Sequence, residues 1–138
     1  MSLPSNAHLP QGVVLVIRRA DAHYLYVQRA PGESFPGYWG PVSGGVEPGE
    51  SLEETAVREA MEEVGIVVRP IRQLRDGLAK GGAYRLYWLL CEHVSGEPSI
   101  CAPGEIAAFA WLTREQALAL EFRFDGDVEL MAELDALS

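Results

Sequence analysis

The chain has 138 residues, enough for one domain spanning 1–138, and its 20 acidic against 11 basic side chains give a formal net charge of −9. This acidic balance argues against a protein that binds nucleic acid through the phosphate backbone, because such binding needs a basic surface. No apolar run reaches the roughly 18–20 residues that cross a membrane, and residues 1–11 lack the basic and apolar segments of a signal peptide.

The two cysteines and the N-terminus give two further expectations. Cys91 and Cys101 lie ten positions apart and are too few for a disulfide framework, so we expect a reduced protein of the cytoplasm. Residues 1–11 hold two prolines and little apolar content, which predicts a loose lead-in to the domain.

The first half of the chain predicts two strands and a long loop. The β-branched run at 12–17 is typical of a strand that is buried on both faces. A second strand at 24–28 follows a short hairpin loop, and Arg29 closes it. Residues 31–40 are rich in glycine and proline, which predicts an irregular loop able to flank a pocket.

A glycine-rich loop at 44–50 leads into the most clearly defined helix. Ser51 and Glu54 have the spacing of a capping box at its start, and Gly65 stands where a left-handed residue ends a helix. At about 100° per residue, one arc of this helix is apolar. Its members are Leu52, Ala56, Val57, Ala60, Met61 and Val64.

Three carboxylates occupy the second half of this helix. Glu59 and Glu63 share a stripe at the edge of the apolar arc, and Glu62 lies just outside it. Like charges at this spacing destabilise an isolated helix, so a bound cation is favoured over a solvated acidic face. Carboxylates without histidine or cysteine suit Mg²⁺ better than zinc. Arg58 can reach Glu62 or Glu54, or it can hold the loop acid Glu50 in place.

The second half of the chain predicts further strands and two short helices. Strand segments are expected at 66–68 and 71–74, interrupted by Pro70, with a turn at 76–82. A central strand is expected at 84–94 and a short one at 107–112. Thr113 and Gln116 form a second capping box for a helix through Leu120. A last helix is capped by Asp125 or Asp127, with apolar positions Val128, Leu130, Met131, Leu134 and Leu137.

The loop and the acidic helix together resemble the Nudix box, Gly-x5-Glu-x7-Arg-Glu-U-x-Glu-Glu-x-Gly-U, where U is a bulky aliphatic residue. Its fixed positions are filled by Gly44, Glu50, Arg58, Glu59, Glu62, Glu63, Gly65 and Ile66. The soft departure is Ala60 at the first U position. The resemblance to the MutT-like Nudix hydrolase family implies an α/β fold, a Nudix-type α/β/α sandwich with a mixed β-sheet. It also implies a hydrolase that depends on Mg²⁺ or Mn²⁺ and cleaves a diphosphate bond in a nucleoside diphosphate linked to another group.

The resemblance also assigns roles to single residues. As metal ligands it implies Glu59, Glu62, Glu63 and the backbone carbonyl of Ser43. As catalytic residues it implies Glu59, Glu63, Glu105 and Arg58, with the general base left open between Glu59 and Glu105. As structural residues of the box it implies Gly44, Glu50 and Gly65. Val42 and Ser43 replace the usual Pro-Gly, which puts the local loop geometry in question.

The substrate is less well defined than the reaction. The resemblance implies substrate contacts from Arg29, Trp39 and Tyr84. The alternatives are a surface arginine, a core tryptophan, and a core or cross-strand tyrosine. We expect a small nucleotide-type substrate: a nucleoside triphosphate, oxidised ones included, or a dinucleoside polyphosphate. The expected partners include neither nucleic acid nor membrane, and the chain is expected to be a monomer or homodimer. The competing hypothesis is a nucleotide-sensing module without turnover.

Overall fold

The structure is a computed structural model of the chain, and it describes residues 9–79 and 81–124 together with residues 130, 132 and 134. In this part of the chain the helices and strands follow one another in a simple order. They are β1 (Gln11–Arg18), β2 (Tyr24–Arg29), β3 (Trp39–Gly40), β4 (Val42–Gly45), α1 (Leu52–Val64), β5 (Val67–Leu78), β6 (Arg85–Ser95), β7 (Ile106–Leu112) and α2 (Arg114–Leu118).

The strands form one mixed sheet, as the resemblance to the Nudix family implies. Its main path runs β3-β2-β1-β6-β5, while β4 pairs with β1 and β7 pairs with β2. β1 and β6 are parallel, and the other pairs are antiparallel. The expectation that the strand near residues 84–94 is central is confirmed, because β6 lies between β1 and β5.

β1 and β2 diverge beyond the hairpin that joins them. They pair where the hairpin closes, at Arg18 and Tyr24. Farther along, β3 pairs with β2 and β4 pairs with β1. The segment at 39–45 therefore fills the space between the two diverging strands, directly before the glycine-rich loop.

Two cores lie on opposite faces of this sheet, because successive strand residues point to opposite sides. On one face the side chains of β1 meet those of α1; the buried members include Val13, Leu15, Ile17, Ala56, Ala60 and Val64. On the other face the buried members are Val16, Tyr24, Tyr26, Leu90, Ala117, Leu130 and Leu134. The burial of β1 on both faces, expected from residues 12–17, is confirmed.

The structure corrects the prediction for residues 66–82. β5 runs without a break from Val67 to Leu78, and a register shift between Pro70 and Arg72 accommodates the proline. β5 is the last strand of the sheet path, and an edge strand tolerates the missing N–H of a proline. The turn is also shorter than expected, since Asp76 belongs to β5 and Gly82 N donates to Ala79 O at 2.8 Å.

The end of the domain agrees in part with expectation. The second capping box is confirmed: Thr113 Oγ1 accepts from Gln116 N, but α2 ends at Leu118 rather than Leu120. Leu130 and Leu134 are helical and buried in the second core. Residues 1–8, the predicted caps Asp125 and Asp127, and the apolar positions 128, 131 and 137 lie outside the described residues. Among the helices that are described, none is both long and apolar enough to cross a membrane.

Candidate active site

The ends of α1 are built as the sequence predicts. Ser51 Oγ accepts from Glu54 N at 3.0 Å, and the Glu54 carboxylate accepts from Ser51 N at 2.9 Å. Gly65 has φ 70°, the left-handed conformation that ends a helix. Because Glu54 is used in this cap, it is not the partner of Arg58.

The buried face of α1 differs from the predicted apolar arc. Val57 and Met61 are 41% and 48% exposed, so their assignment to the buried arc is wrong. The prediction is correct for Ala56, Ala60 and Val64, which are fully buried. The helix is turned towards its acidic side, where the buried residues are Thr55, Glu59 and Glu63. These polar groups can be buried for two reasons. Gly44 of β4 leaves room for the Glu59 carboxylate, and hydrogen bonds satisfy the Thr55 hydroxyl and one oxygen of Glu59.

Arg58 is the centre of the hydrogen-bond network at this site. It donates to both oxygens of Glu50 at 2.7 and 2.9 Å and to the Gly45 carbonyl at 2.8 Å. It also donates to Glu59 at 2.8 Å and to Glu62 at 3.1 Å. The two-pronged contact lowers the pKa of Glu50 to about 2. The hypothesis that Arg58 holds Glu50 is confirmed, and the same guanidinium also holds two of the predicted metal ligands.

Thr55 supports this network and was missed by the sequence analysis. Its side chain is fully buried, with Oγ1 2.7 Å from Glu50 Oε1 and 2.9 Å from Ser51 O. The sequence does contain a signal for Thr55, because Thr55 lies four residues before Glu59 and therefore shares its helix face.

The box glycine makes space for Glu59. A Cβ on Gly44 would overlap the Glu59 carboxylate, so the side chain lies directly on the β4 backbone. Burial raises the pKa of Glu59, while the hydrogen bond from Arg58 opposes that shift. Ser43, whose carbonyl is a predicted metal ligand, is the residue before this contact and pairs with Val14 of β1.

Glu63 and Glu105 complete the acidic cluster. Glu63 is 7% exposed, and its Oε2 is buried without a hydrogen-bond partner in the described part of the chain. Burial raises the pKa of Glu63 to about 9, and the neighbouring carboxyls of Glu105 and Glu59 add to the shift. Glu105 itself is exposed on the loop before β7, and its carbonyl accepts from Ala30 N at 2.9 Å. The fold therefore brings together acids 42 positions apart in the sequence.

These donors fit a hard divalent cation by their chemistry. They are carboxylate oxygens, one of them buried without a partner, and such groups suit Mg²⁺. Within residues 9–79 and 81–124, no three acidic, histidine or cysteine side chains already converge as a metal site. In the structure as it stands, Arg58 neutralises Glu59 and Glu62 through hydrogen bonds.

The predicted substrate residues lie in three different environments. The Arg29 guanidinium donates to the carbonyl and the hydroxyl of Ser34, in the loop after β2. Trp39 is half-buried and packs against the second core, which agrees with the alternative prediction that it is a core side chain. Tyr84 is 49% exposed and precedes β6, so the core alternative for Tyr84 is wrong. Substrate roles for these residues stay predictions.

The comparison with known proteins identifies the family. A model of the NUDIX domain matches residues 8–134 of the chain. The chain belongs to the NUDIX family. A nucleoside triphosphatase, NudI of Salmonella agona, is 33% identical over 116 residues, which cover 75% of this chain and 82% of NudI.

Solved Nudix structures share the fold. A MutT protein from Methanosarcina mazei superposes with a TM-score of 0.77 at 22% identity, covering 99% of this chain and 98% of that one. A Nudix hydrolase from Nitrosomonas europaea superposes with a TM-score of 0.76 at 23% identity, covering 93% of this chain and 89% of that one. The Nudix α/β/α sandwich is thus confirmed, and the chain is a Nudix pyrophosphohydrolase.

Proposed function

We propose that this Nudix pyrophosphohydrolase requires Mg²⁺ or Mn²⁺ and hydrolyses a diphosphate bond of a nucleoside triphosphate. The observation that carries the proposal is Glu63, whose buried Oε2 has no hydrogen-bond partner among the described residues. Burying such an oxygen costs free energy unless something binds it. The neighbouring acids Glu59 and Glu105 add negative charge, so the natural occupant is a cation.

A nucleoside triphosphate is the substrate that the relatives favour. NudI, at 33% identity, is described as a nucleoside triphosphatase. The net charge of −9 repels a polyphosphate from most of the surface, so binding depends on a cation and a few local arginines. The acidic cluster would hold a divalent ion, and that ion would supply the positive charge that a polyphosphate needs.

Four groups would hold the ion: the carboxylates of Glu59, Glu62 and Glu63 and the carbonyl of Ser43. When bound, it would neutralise charge on the phosphoryl oxygens and lower the pKa of a water molecule. Arg58 orients two of these carboxylates through its hydrogen bonds. This positioning is the main contribution of the protein, since phosphoryl transfer needs little covalent chemistry from side chains.

Glu105 is the group that we assign as general base. Glu59 is fixed between Arg58 and the backbone of Gly44, which leaves its carboxylate little freedom. Glu105 is exposed on a loop beside Glu63. In the proposed reaction, water attacks phosphorus, its proton passes to Glu105, and a phosphate or diphosphate leaves.

A hydrolysis assay with Mg²⁺ and with EDTA tests the proposal. Nucleoside triphosphates, oxidised ones included, are compared with dinucleoside polyphosphates and ADP-ribose, and the products are resolved by mass spectrometry. We expect metal-dependent hydrolysis of the triphosphates. The hydrolysis rate should fall to background in Glu63→Gln and should be lowered roughly 10²–10⁴-fold in Glu105→Gln. Glu53→Gln, an exposed acid of the same helix, is the matched control and should retain activity.

Two outcomes would contradict the proposal. A folded Glu63→Gln protein with full activity would remove Glu63 from the reaction. A wild-type protein that binds triphosphates and Mg²⁺ without releasing product would instead support the nucleotide-sensing alternative.

A further inference from the structure

The segment between β6 and β7 crosses the end of α1 on its way to the assigned base. We call residues 96–101 of this segment the strap. Ser99 N donates to Val64 O at 3.0 Å, and Cys101 N donates to Glu63 O at 3.0 Å. Because Glu63 is also a predicted metal ligand, the strap is bonded to the backbone of the acidic cluster itself.

The strap completes the C-terminal end of α1. The last carbonyls of a helix have no partner within that helix. Gly65 N donates to Met61 O at 3.1 Å, but Glu63 O and Val64 O accept from the strap. In the fully described helix α1, the last turn carries no basic side chain that could bind these carbonyls instead. The two strap amides take that place, so the strap is fixed to the helix end.

Two glycines allow the strap and the helix to approach this closely. Gly96 has φ 94°, and a Cβ there would lie 3.1 Å from Gly65 O and 3.3 Å from Ile66 Cα. On the helix side, a Cβ on Gly65 would lie 3.2 Å from Cys101 Sγ and 3.4 Å from Ser99 Oγ. Gly96→Ala would therefore combine an unfavourable left-handed backbone with a side chain that pushes the strap away from α1.

A histidine of β6 holds the start of the strap. His93 Nε2 lies 2.7 Å from Gly96 O and donates to it, because a carbonyl can only accept. The His93 ring packs against Trp111 of β7, with ring centroids 5.3 Å apart. Arg19 lies over the other ring of this pair, with its Cζ 4.7 Å from the Trp111 centroid. The side chain that anchors the strap is thus itself held by the sheet.

The strap leads to Glu105 through a short turn of three residues. In that turn Glu105 N donates to Ala102 O at 2.9 Å. Glu105 O accepts from Ala30 N at 2.9 Å, at the end of β2. The Glu105 carboxyl lies close enough to Glu63 to contribute to the raised pKa of Glu63. Because the connection is short and closed by a hydrogen bond, a strap displaced from α1 would move Glu105 relative to Glu63.

We propose that Gly96 and His93 are positioning residues, which seat the strap on α1 and thereby set the place of Glu105 beside the predicted metal ligands. Both residues lie outside the acidic cluster, so each acts through Glu105. A shift of the base by about 1 Å is enough to lower a rate roughly 10²-fold. This inference rests on the proposed function for the role of Glu105 as general base.

Two variants release the strap in different ways. Gly96→Ala adds a Cβ at the close contact, whereas His93→Phe keeps a ring beside Trp111 and removes the hydrogen bond to the strap. Gly81→Ala, in the turn between β5 and β6, is the matched control. Gly81 has φ 88°, so this variant carries similar backbone strain, but a Cβ there meets none of the described residues within 4 Å. Thermal unfolding verifies each fold, and His93→Phe tests the inference if Gly96→Ala does not fold.

The first test reads the position of Glu105 without turnover. Hydrogen exchange of three backbone amides is followed by NMR in EDTA. The amides of Ser99 and Cys101 report the seating of the strap, and that of the buried Ala30 reports Glu105 through their hydrogen bond. All three should exchange faster in both strap variants than in wild type or in Gly81→Ala.

The second test uses steady-state hydrolysis of a nucleoside triphosphate with Mg²⁺. We expect kcat to fall about 10²-fold in Gly96→Ala and about tenfold in His93→Phe, with little change in KM. Gly81→Ala should keep the wild-type kcat. The two strap substitutions are then combined with Glu105→Gln. Since residues that act as a unit are not additive, they should lower kcat little further in that background.

Three results would overturn the inference. One is a wild-type kcat in both strap variants although Ser99 and Cys101 exchange faster. Another is a loss of kcat as large in the Glu105→Gln background as in wild type, which would place the effect on α1 itself. The third is unchanged exchange of Ala30 in both strap variants, which would show that the strap does not hold Glu105.

Failure of the proposed function would give a different result. A wild-type protein that hydrolyses no triphosphate, or a fully active Glu105→Gln variant, would remove the assignment of the base. The exchange of Ala30 then decides the inference alone. Faster exchange in the strap variants would support the positioning of Glu105 by the strap, and unchanged exchange would contradict it.

Discussion

Glu59 lies directly against the backbone of Gly44, in the space that a Cβ at position 44 would fill. Gly44 does not have a positive φ, so its role is steric rather than conformational. The contact places a carboxylate between the β4 backbone and Arg58, which donates to it at 2.8 Å. The glycine at the start of the box and the first glutamate of its acidic group therefore form one structural unit.

Gly44→Ala should abolish most of the hydrolytic activity. The added methyl group must displace the Glu59 carboxylate, and that movement disturbs its hydrogen bond with Arg58. Gly45→Ala is the matched control, since a Cβ on Gly45 meets nothing within 4 Å. Steady-state hydrolysis and thermal unfolding of both variants check the prediction. Equal activity in the two variants would show that the close contact is not needed.

Thr55→Val should weaken the Arg58 network with little change in side-chain shape. Loss of the hydroxyl removes the 2.7 Å hydrogen bond to Glu50 and should lower the free energy of unfolding by about 1–2 kcal/mol. Urea unfolding measures that change, and calorimetry with Mg²⁺ measures whether metal affinity falls as well. Thr55→Ser keeps the hydroxyl and should recover most of both quantities. A fully stable Thr55→Val protein with wild-type metal affinity would contradict the role of Thr55.

The stability of the metal-free protein should fall as the pH rises from about 5 to about 9. Glu63 has a folded-state pKa of about 9 against an ordinary value of 4.5, so between these values the folded state binds more protons than the unfolded state. Stability then decreases with increasing pH. Thermal unfolding in EDTA across this range measures the effect.

Glu63→Gln isolates the contribution of Glu63 to that pH dependence. Glutamine cannot ionise, so the difference in Tm between variant and wild type should grow in favour of the variant as the pH rises. Adding Mg²⁺ at pH 8 should raise the Tm of wild type more than that of Glu63→Gln. Parallel Tm curves in EDTA would mean that Glu63 ionises with an ordinary pKa.

The two cysteines should react with thiol reagents at very different rates. Cys101 is exposed, whereas Cys91 is fully buried and burial raises the pKa of its thiol to about 12. A maleimide should label one thiol in the native protein and two after denaturation, with the site found by peptide mass spectrometry. Cys101→Ser should then show no rapid native labelling. Fast labelling of Cys91 in the folded protein would contradict its burial.

Local signals in the sequence predicted the local structure well. Both capping boxes, the left-handed Gly65 and the buried strand β1 form as expected, because each depends on groups only a few residues apart. Segments with competing signals were predicted less well. Pro70 indicated a break, but the edge position of β5 made a continuous strand possible.

The spacing of the acidic residues in the sequence predicted the candidate site, and the packing of α1 on the sheet determined which of its groups are buried. The sequence contained the positions of Glu59, Glu62 and Glu63 and the possibility of an Arg58–Glu50 pair. It did not contain the rotation of α1, which exposes Val57 and Met61 while burying polar groups. Periodicity ranks helix faces by hydrophobicity, so it cannot anticipate that a glycine opposite the helix creates room for a carboxylate.

By itself, the sequence determined where α1 and α2 begin, where α1 ends and the positions of the acidic motif, because these depend on neighbours in the chain. Only the tertiary structure decided that Glu105 joins Glu63, that Thr55 supports Glu50 and that Phe35 meets Phe124. The first and third pairings join residues far apart in the chain, and the second joins the start of α1 to the loop before it. Packing brings distant residues into contact, and a one-dimensional pattern carries no record of which residues will meet.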